Sequence, residues 1–151
     1  MAPAMNAELF RTMILPKIQA GSCPVPSLFI LSDAAELADC VGPYGKSLLY
    51  LVSNAFEGVR EKPILGMEKF LLADSALNAL FCRPTANRHP SLVIATKALP
   101  NGDGDPFSAS HSETHGGFDN DPATLNSILR RIIEPPGGKL VREFTSRDLQ
   151  Y

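Results

Sequence analysis

The sequence contains no apolar run approaching the ~20 residues that a membrane-spanning helix requires, and this argues against a membrane span. Basic charge is equally scarce. Lys and Arg number 14 against 16 Asp and Glu, a formal net charge of -2, so nucleic acid finds no basic footprint here. The three cysteines, Cys23, Cys40 and Cys82, are odd in number and never fall in a C-x-x-C spacing. Neither a disulfide frame nor zinc is suggested by them. The opening residues, Met1-Ala2-Pro3-Ala4-Met5, lack the charged region and apolar core of a secretory signal. The resulting expectation is a cytoplasmic protein with no membrane or nucleic-acid partner, no cofactor and no metal.

What remains is an ordinary globular balance. The chain has 151 residues, 44% of them apolar and 20% charged, which fits one domain with a substantial core. Asn6 is placed to cap a first helix with Leu9, Phe10, Met13 and Ile14 on its apolar side, limited by Pro16. Residues 27–31 (S-L-F-I-L) and 91–96 (S-L-V-I-A-T) read as short buried strands. The acidic stretch 33–39 reads as a loop or a single helical turn. Residues 46–57 read as a strong helix with Leu48, Leu51, Val52, Ala55 and Phe56 facing the core. Residues 64–72 are ambiguous between strand and helix, and 74–81 read as helix. Asp121 caps a last helix with Pro122 at its first position and Leu125, Ile128, Leu129 and Ile132 at helical spacing. The proline-glycine run 135–138 ends it, and the tail 139–151 reads as extended, with a turn near Ser146. Strands alternating with helices predict an α/β layer structure with a small, mainly parallel sheet flanked by helices.

Chemistry concentrates in residues 108–121, S-A-S-H-S-E-T-H-G-G-F-D-N-D. Two histidines and a glycine pair sit in a polar loop between a strand and a helix. Imidazole suits proton transfer near neutral pH, and loops on a rigid scaffold are where catalytic groups collect. His111 and His115 with Asp119 and Asp121 form a weak metal pattern, because the glycines argue for a loop and not an aligned helical pair. Gly45-Lys46-Ser47 is a poor phosphate loop, since Cys40 stands where the first glycine belongs. The run 101–106 (N-G-D-G-D-P) is a poor calcium loop, with Pro106 and Ser112 at positions that need glycine and glutamate. A cysteine hydrolase built on Cys40 and His115 would have the order of papain-like enzymes but none of their sequence context around the cysteine. A serine-hydrolase order fits better: an acid just after one strand, Asp33, and a histidine in the loop after the last strand, His115. Asp39 is the alternative acid and His111 the alternative base.

The segments L-S-D-A-A-E-L-A-D (31–39), Y-G-K-S-L-L-Y-L-V-S-N-A-F-E (44–57), I-L-G-M-E-K-F (64–70) and T-H-G-G-F-D-N-D-P-A-T (114–124) resemble a group of uncharacterised bacterial α/β-hydrolase-like proteins. The resemblance covers residues 2–133. It implies that 1–133 correspond to the C-terminal half of a serine hydrolase, with 134–151 as a tail. It implies acyl (ester-like) hydrolysis, with Asp33 as acid and His115 as base. No G-x-S-x-G occurs anywhere in the chain, so the nucleophile elbow is not here. The expectation is therefore an acid–histidine pair, inactive alone, acting on a small ester only when a complementing N-terminal half supplies the serine. The competing expectation is a non-catalytic module whose unpaired sheet edge leads to homo-oligomers or to pairing with another chain.

Overall fold

A computed structural model describes residues 1–40, 42–56, 58–83, 89–95, 104–134 and 136–149. Thr96, much of the N-G-D-G run and Tyr151 lie outside the described residues, so the end of the second strand and the calcium-loop pattern are not placed.

The centre is a two-stranded parallel sheet of β1 (Leu28–Leu31) and β2 (Leu92–Ala95), in register Leu28 with Leu92 through Leu31 with Ala95. Both strands are apolar at every position because helices cover both sides, the usual condition of a parallel sheet. Alternation sends Leu28, Ile30, Leu92 and Ile94 to one side, where they meet Ala7 and Phe10 of α1 (Ala7–Met13), Leu71 of α5 (Glu68–Ala73) and Leu77 and Phe81 of α6 (Ser75–Phe81). Phe29, Leu31, Val93 and Ala95 face the other way, onto Phe118, Ala35 of α3 (Asp33–Ala38) and Ile128 of α7 (Pro122–Ile133). The chain is thus mixed α/β, with helices on both faces of a small parallel sheet. No helix among the described residues is long and apolar enough to cross a membrane.

The caps fall where side-chain chemistry places them. Asn6 accepts from the amides of Glu8 and Leu9. Asp74 accepts from Ala76 and Leu77 and so caps α6, while the ambiguous 64–72 stretch resolves into a bridge at Ile64 followed by α5. Pro16 separates α1 from the short α2 (Leu15–Gln19) by sitting in the first turn of the latter, where its missing N–H costs nothing.

Two expectations need correction. The acidic stretch after β1 is a six-residue helix, α3, because the Ser32 hydroxyl accepts from the amide of Ala35 and the run is rich in helix formers. The strong helix expected at 46–57 is α-helical only as α4 (Leu48–Leu51), capped by Ser47, and widens to a π-type turn over Val52–Phe56. There the Ser53 carbonyl accepts the amide of Lys62, and the Ser53 hydroxyl donates to the Lys62 carbonyl. Its buried side is Leu49, Tyr50 and Ser53, packed with Ile64 and Met67, whereas Leu48 and Phe56 are exposed.

α7 also differs from a simple amphipathic reading. Its polar residues Thr124, Asn126, Ser127 and Arg130 are buried, while Ile132 and Ile133 are exposed. Loop and tail cover the polar side. Ser127 Oγ donates to the carbonyls of Pro106 and Ala109, and Arg131 to those of Phe107 and Pro90. Arg130 Nε donates to the Gly138 carbonyl and its guanidinium pairs with Glu143. The Asn126 side chain exchanges two hydrogen bonds with the backbone of Phe144, so the tail is packed on the domain.

Candidate functional site

The carboxyl ends of β1 and β2 lead into α3 and into the loop that carries the histidines. In parallel sheets this end is where ligand and catalytic groups gather. Three carboxylates follow β1 at a spacing of three residues, Asp33, Glu36 and Asp39. That spacing keeps Asp33 and Glu36 close to one face of α3.

Glu36 is the group that meets the histidine. Its Oε2 lies 2.9 Å from His115 Nε2, and the two residues are separated by 79 positions in sequence. The Glu36 side chain has 0% of its surface exposed and that of His115 19%. A carboxylate so buried would be costly without a partner; the imidazole is the partner of one oxygen, and Oε1 has none among the described residues. Asp39 approaches the same residue from the main-chain side, with its Oδ2 accepting the His115 amide at 3.3 Å. His115 begins the turn His115–Gly117, which Phe118, 1% exposed, anchors against the sheet. A Cβ at Gly117 would come within 2.7 Å of Ser112 Oγ, so a larger residue there would displace the Ser112 hydroxyl.

Asp33 is placed differently from the expectation. Its Oδ1 accepts the Tyr50 hydroxyl at 2.9 Å, and its amide donates to Glu68 Oε2 at 2.6 Å. The carboxylate that meets the imidazole is therefore one helical turn further along α3 than the residue chosen from sequence. Burial, and then the bond to Asp33, push the Tyr50 phenol well above its ordinary range, so Tyr50 stays a donor. The ammonium groups of Lys69 and Lys46 lie 4.4 and 5.2 Å from the centre of the Tyr50 ring. Lys46 itself is exposed.

His111 is an exposed neighbour whose amide donates to Asp121 at 2.6 Å. The Cys40 thiol is exposed and directed to the Gly42 carbonyl at 3.3 Å. Among the described residues no hydroxyl or thiol is hydrogen-bonded to the His115 ring. Nor is any group of three or more His, Cys, Asp or Glu arranged to hold a metal ion.

No family model, curated protein or solved structure matches the chain. The site must be judged on its own geometry.

A second acid–imidazole pair escaped the sequence reading. His89 Nδ1 lies 2.6 Å from Asp105 Oδ2, with the ring stacked 4.0 Å from Phe107. Burial works against the charge on Asp105, but the bonds from Ser108 Oγ and the Phe107 amide, together with His89, outweigh it and hold the carboxyl below its usual range. This pair joins the residues before β2 to the loop after it, and it is more exposed than Glu36–His115. Glu36 was missed because α3 lacks an apolar stripe. The usable signal was Ser32-Asp33 as a cap, which makes a helix and so brings position 36 to the strand ends.

Proposed function

We propose that the chain provides the acid–base element of a serine-type hydrolase acting on an ester-like acyl bond, with its nucleophile supplied by polypeptide outside these 151 residues. The Glu36–His115 pair carries this reading: a fully buried carboxylate bonded to a largely buried imidazole at the carboxyl end of two parallel strands. The resemblance of segments 31–39 and 114–124 to α/β-hydrolase-like proteins supports it, and so do the helices on both faces of the sheet.

In the proposed reaction His115 takes the proton from a serine hydroxyl as its oxygen attacks the acyl carbon. The imidazolium, stabilised by Glu36, returns that proton to the leaving alcohol when the tetrahedral intermediate collapses. Water then repeats the cycle on the acyl-enzyme and frees the acid. Without a nucleophile the pair has nothing to activate, so the chain alone is expected to be inactive. The test is p-nitrophenyl ester hydrolysis by the chain combined with a complementing N-terminal half. Activity that falls by ~10³-fold or more in His115→Ala supports the reading; no activity, or activity indifferent to His115, refutes it.

A second reading, a non-catalytic pairing module, is favoured by one observation. The bond from the Leu28 amide to the Ser91 carbonyl turns Leu28 and Ile30 toward β2, and so turns Phe29 and Leu31 to the outer edge of β1. The Phe29 carbonyl there accepts from the Ala2 amide. The N–H and C=O of Leu31, a residue with 0% exposure, have no partner among the described residues. Buried backbone groups are rarely left so, and a further strand would satisfy them. Sedimentation velocity decides this reading, for which a monomer at every concentration is the adverse result.

A further inference from the structure

We infer that the proton enters and leaves His115 at Nδ1, and that Glu36 is the positioning residue that fixes this choice by holding Nε2. The inference rests on the proposed acid–base role for its catalytic meaning, whereas the proton assignment follows from the Glu36–His115 geometry with an ionised carboxylate. A neutral imidazole has one N–H and one lone pair, and an ionised carboxylate only accepts. With an ionised Glu36 whose Oε2 lies 2.9 Å from Nε2, the single N–H of the neutral ring is on Nε2 and the lone pair is on Nδ1. The Glu36 side chain is wholly buried, and its residue is also held from the main chain, where its carbonyl accepts the Ser47 amide. The ring is also held from its own main chain. Asp39 accepts the His115 amide, and Phe118 fixes the end of the turn.

The arrangement is the reverse of the Ser-His-Asp triad, in which the acid holds Nδ1 and Nε2 receives the proton. Nδ1 is the ring nitrogen nearer the main chain, so a nucleophile must come in beside the backbone of the turn and not at the tip of the ring. Gly116, the residue after His115, is exposed, and a Cβ there would meet no atom within 4 Å beyond its chain neighbours. Asp33 takes no part in holding the ring, since it is bonded to Tyr50 and Glu68. A residue that bonds Nε2 and leaves Nδ1 to the substrate side thus selects both the tautomer and the direction of attack.

The test is a pH titration of the 15N-labelled chain followed by long-range proton–nitrogen correlation of the histidine rings. His89→Gln and His111→Gln assign the signals by removing the other two. As the proton is lost from the His115 ring, Nδ1 should move from the pyrrole-type to the pyridine-type shift while Nε2 stays pyrrole-type throughout. Glu36→Leu, whose side chain neither donates nor accepts, should abolish this bias and bring both nitrogens toward averaged shifts. Movement of Nε2 with a constant Nδ1, or two averaged nitrogens in the unaltered protein, overturns the inference. The titration needs no variant at position 36 and no substrate, so it can fail while the hydrolase reading stands, or stand while that reading fails.

Discussion

Replacing Asp121 by alanine removes three kinds of interaction at once, and their sum can be worked from the structure. Asp121 Oδ1 and Oδ2 accept the Ala123 and Thr124 amides at 3.1 Å each, the N-cap of the twelve-residue α7. Loss of such a cap costs about 1 kcal/mol. The carboxylate also sits at the positive end of the helix, worth about 0.3–1 kcal/mol more. Oδ2 further accepts the His111 amide and the buried Thr124 hydroxyl, both at 2.6 Å. The amide bond contributes about 1 kcal/mol, whereas the hydroxyl keeps Ser110 Oγ at 2.7 Å. The expected destabilisation is about 2–3 kcal/mol, since neighbouring terms overlap and do not add fully. Urea unfolding with an unchanged slope measures it. Asp121→Asn preserves the cap and should lose about 1 kcal/mol or less. An alanine variant within about 0.5 kcal/mol of the parent would refute the reasoning, and so would an asparagine variant as damaged as the alanine one.

Phe118→Ala should cost about 3–5 kcal/mol in the same assay, because Phe118 is 1% exposed and fills the sheet face below the His115 turn; a loss below about 1 kcal/mol contradicts that packing. Gly66→Ala should destabilise by about 1–3 kcal/mol, as its Cβ would lie 2.6 Å from the Pro3 carbonyl oxygen, and unchanged thermal unfolding would count against that close approach. The raised Tyr50 pKa has a definite sign. The folded state keeps this proton after an unfolded tyrosine, with a pKa of about 10, has released it, so stability falls as pH rises above that value. Tyr50→Phe should remove this component of the alkaline decline, and an identical decline in the variant would show that Tyr50 is not its source. Asp105 acts on the acid side, where its lowered pKa gives stability that is present above the unfolded value and lost as pH falls through the folded one. Asp105→Asn should flatten that acid limb, and an unchanged limb would exclude the residue.

The parts of this fold legible in sequence are those where one local signal decides. The two strands were visible because each is an apolar run of strand length bounded by polar or proline residues. The start of α7 was visible because Asp121-Pro122 is a cap followed by a first-turn proline. α3 was not, since its Ala and acidic residues carry no apolar period and its helix depends on the Ser32 hydroxyl. At α4 the period existed but picked out the buried side only in part: Val52 packs on the core, whereas Leu49 and Tyr50 are buried and Leu48 and Phe56 exposed, in a segment that passes from α to π geometry at Val52. His115 is favoured over His111 by strand order and by the family resemblance of T-H-G-G-F-D-N-D, and it is His115 that meets the buried Glu36. That partner was beyond local reading, since Glu36 and His115 meet only after β1 and β2 align in parallel, 79 residues apart.

The polar side of α7 reads the loop and tail by their main chain. Ser127, Arg130, Arg131 and Asn126 take hold of carbonyls at Pro106, Ala109, Gly138, Phe107 and Phe144. Every one of those acceptors exists whatever side chain the loop residue bears. Mutational tolerance is therefore unequal across this contact: a loop residue that offers only its carbonyl can change its side chain and keep the bond, while the helix cannot change the few side chains that make it.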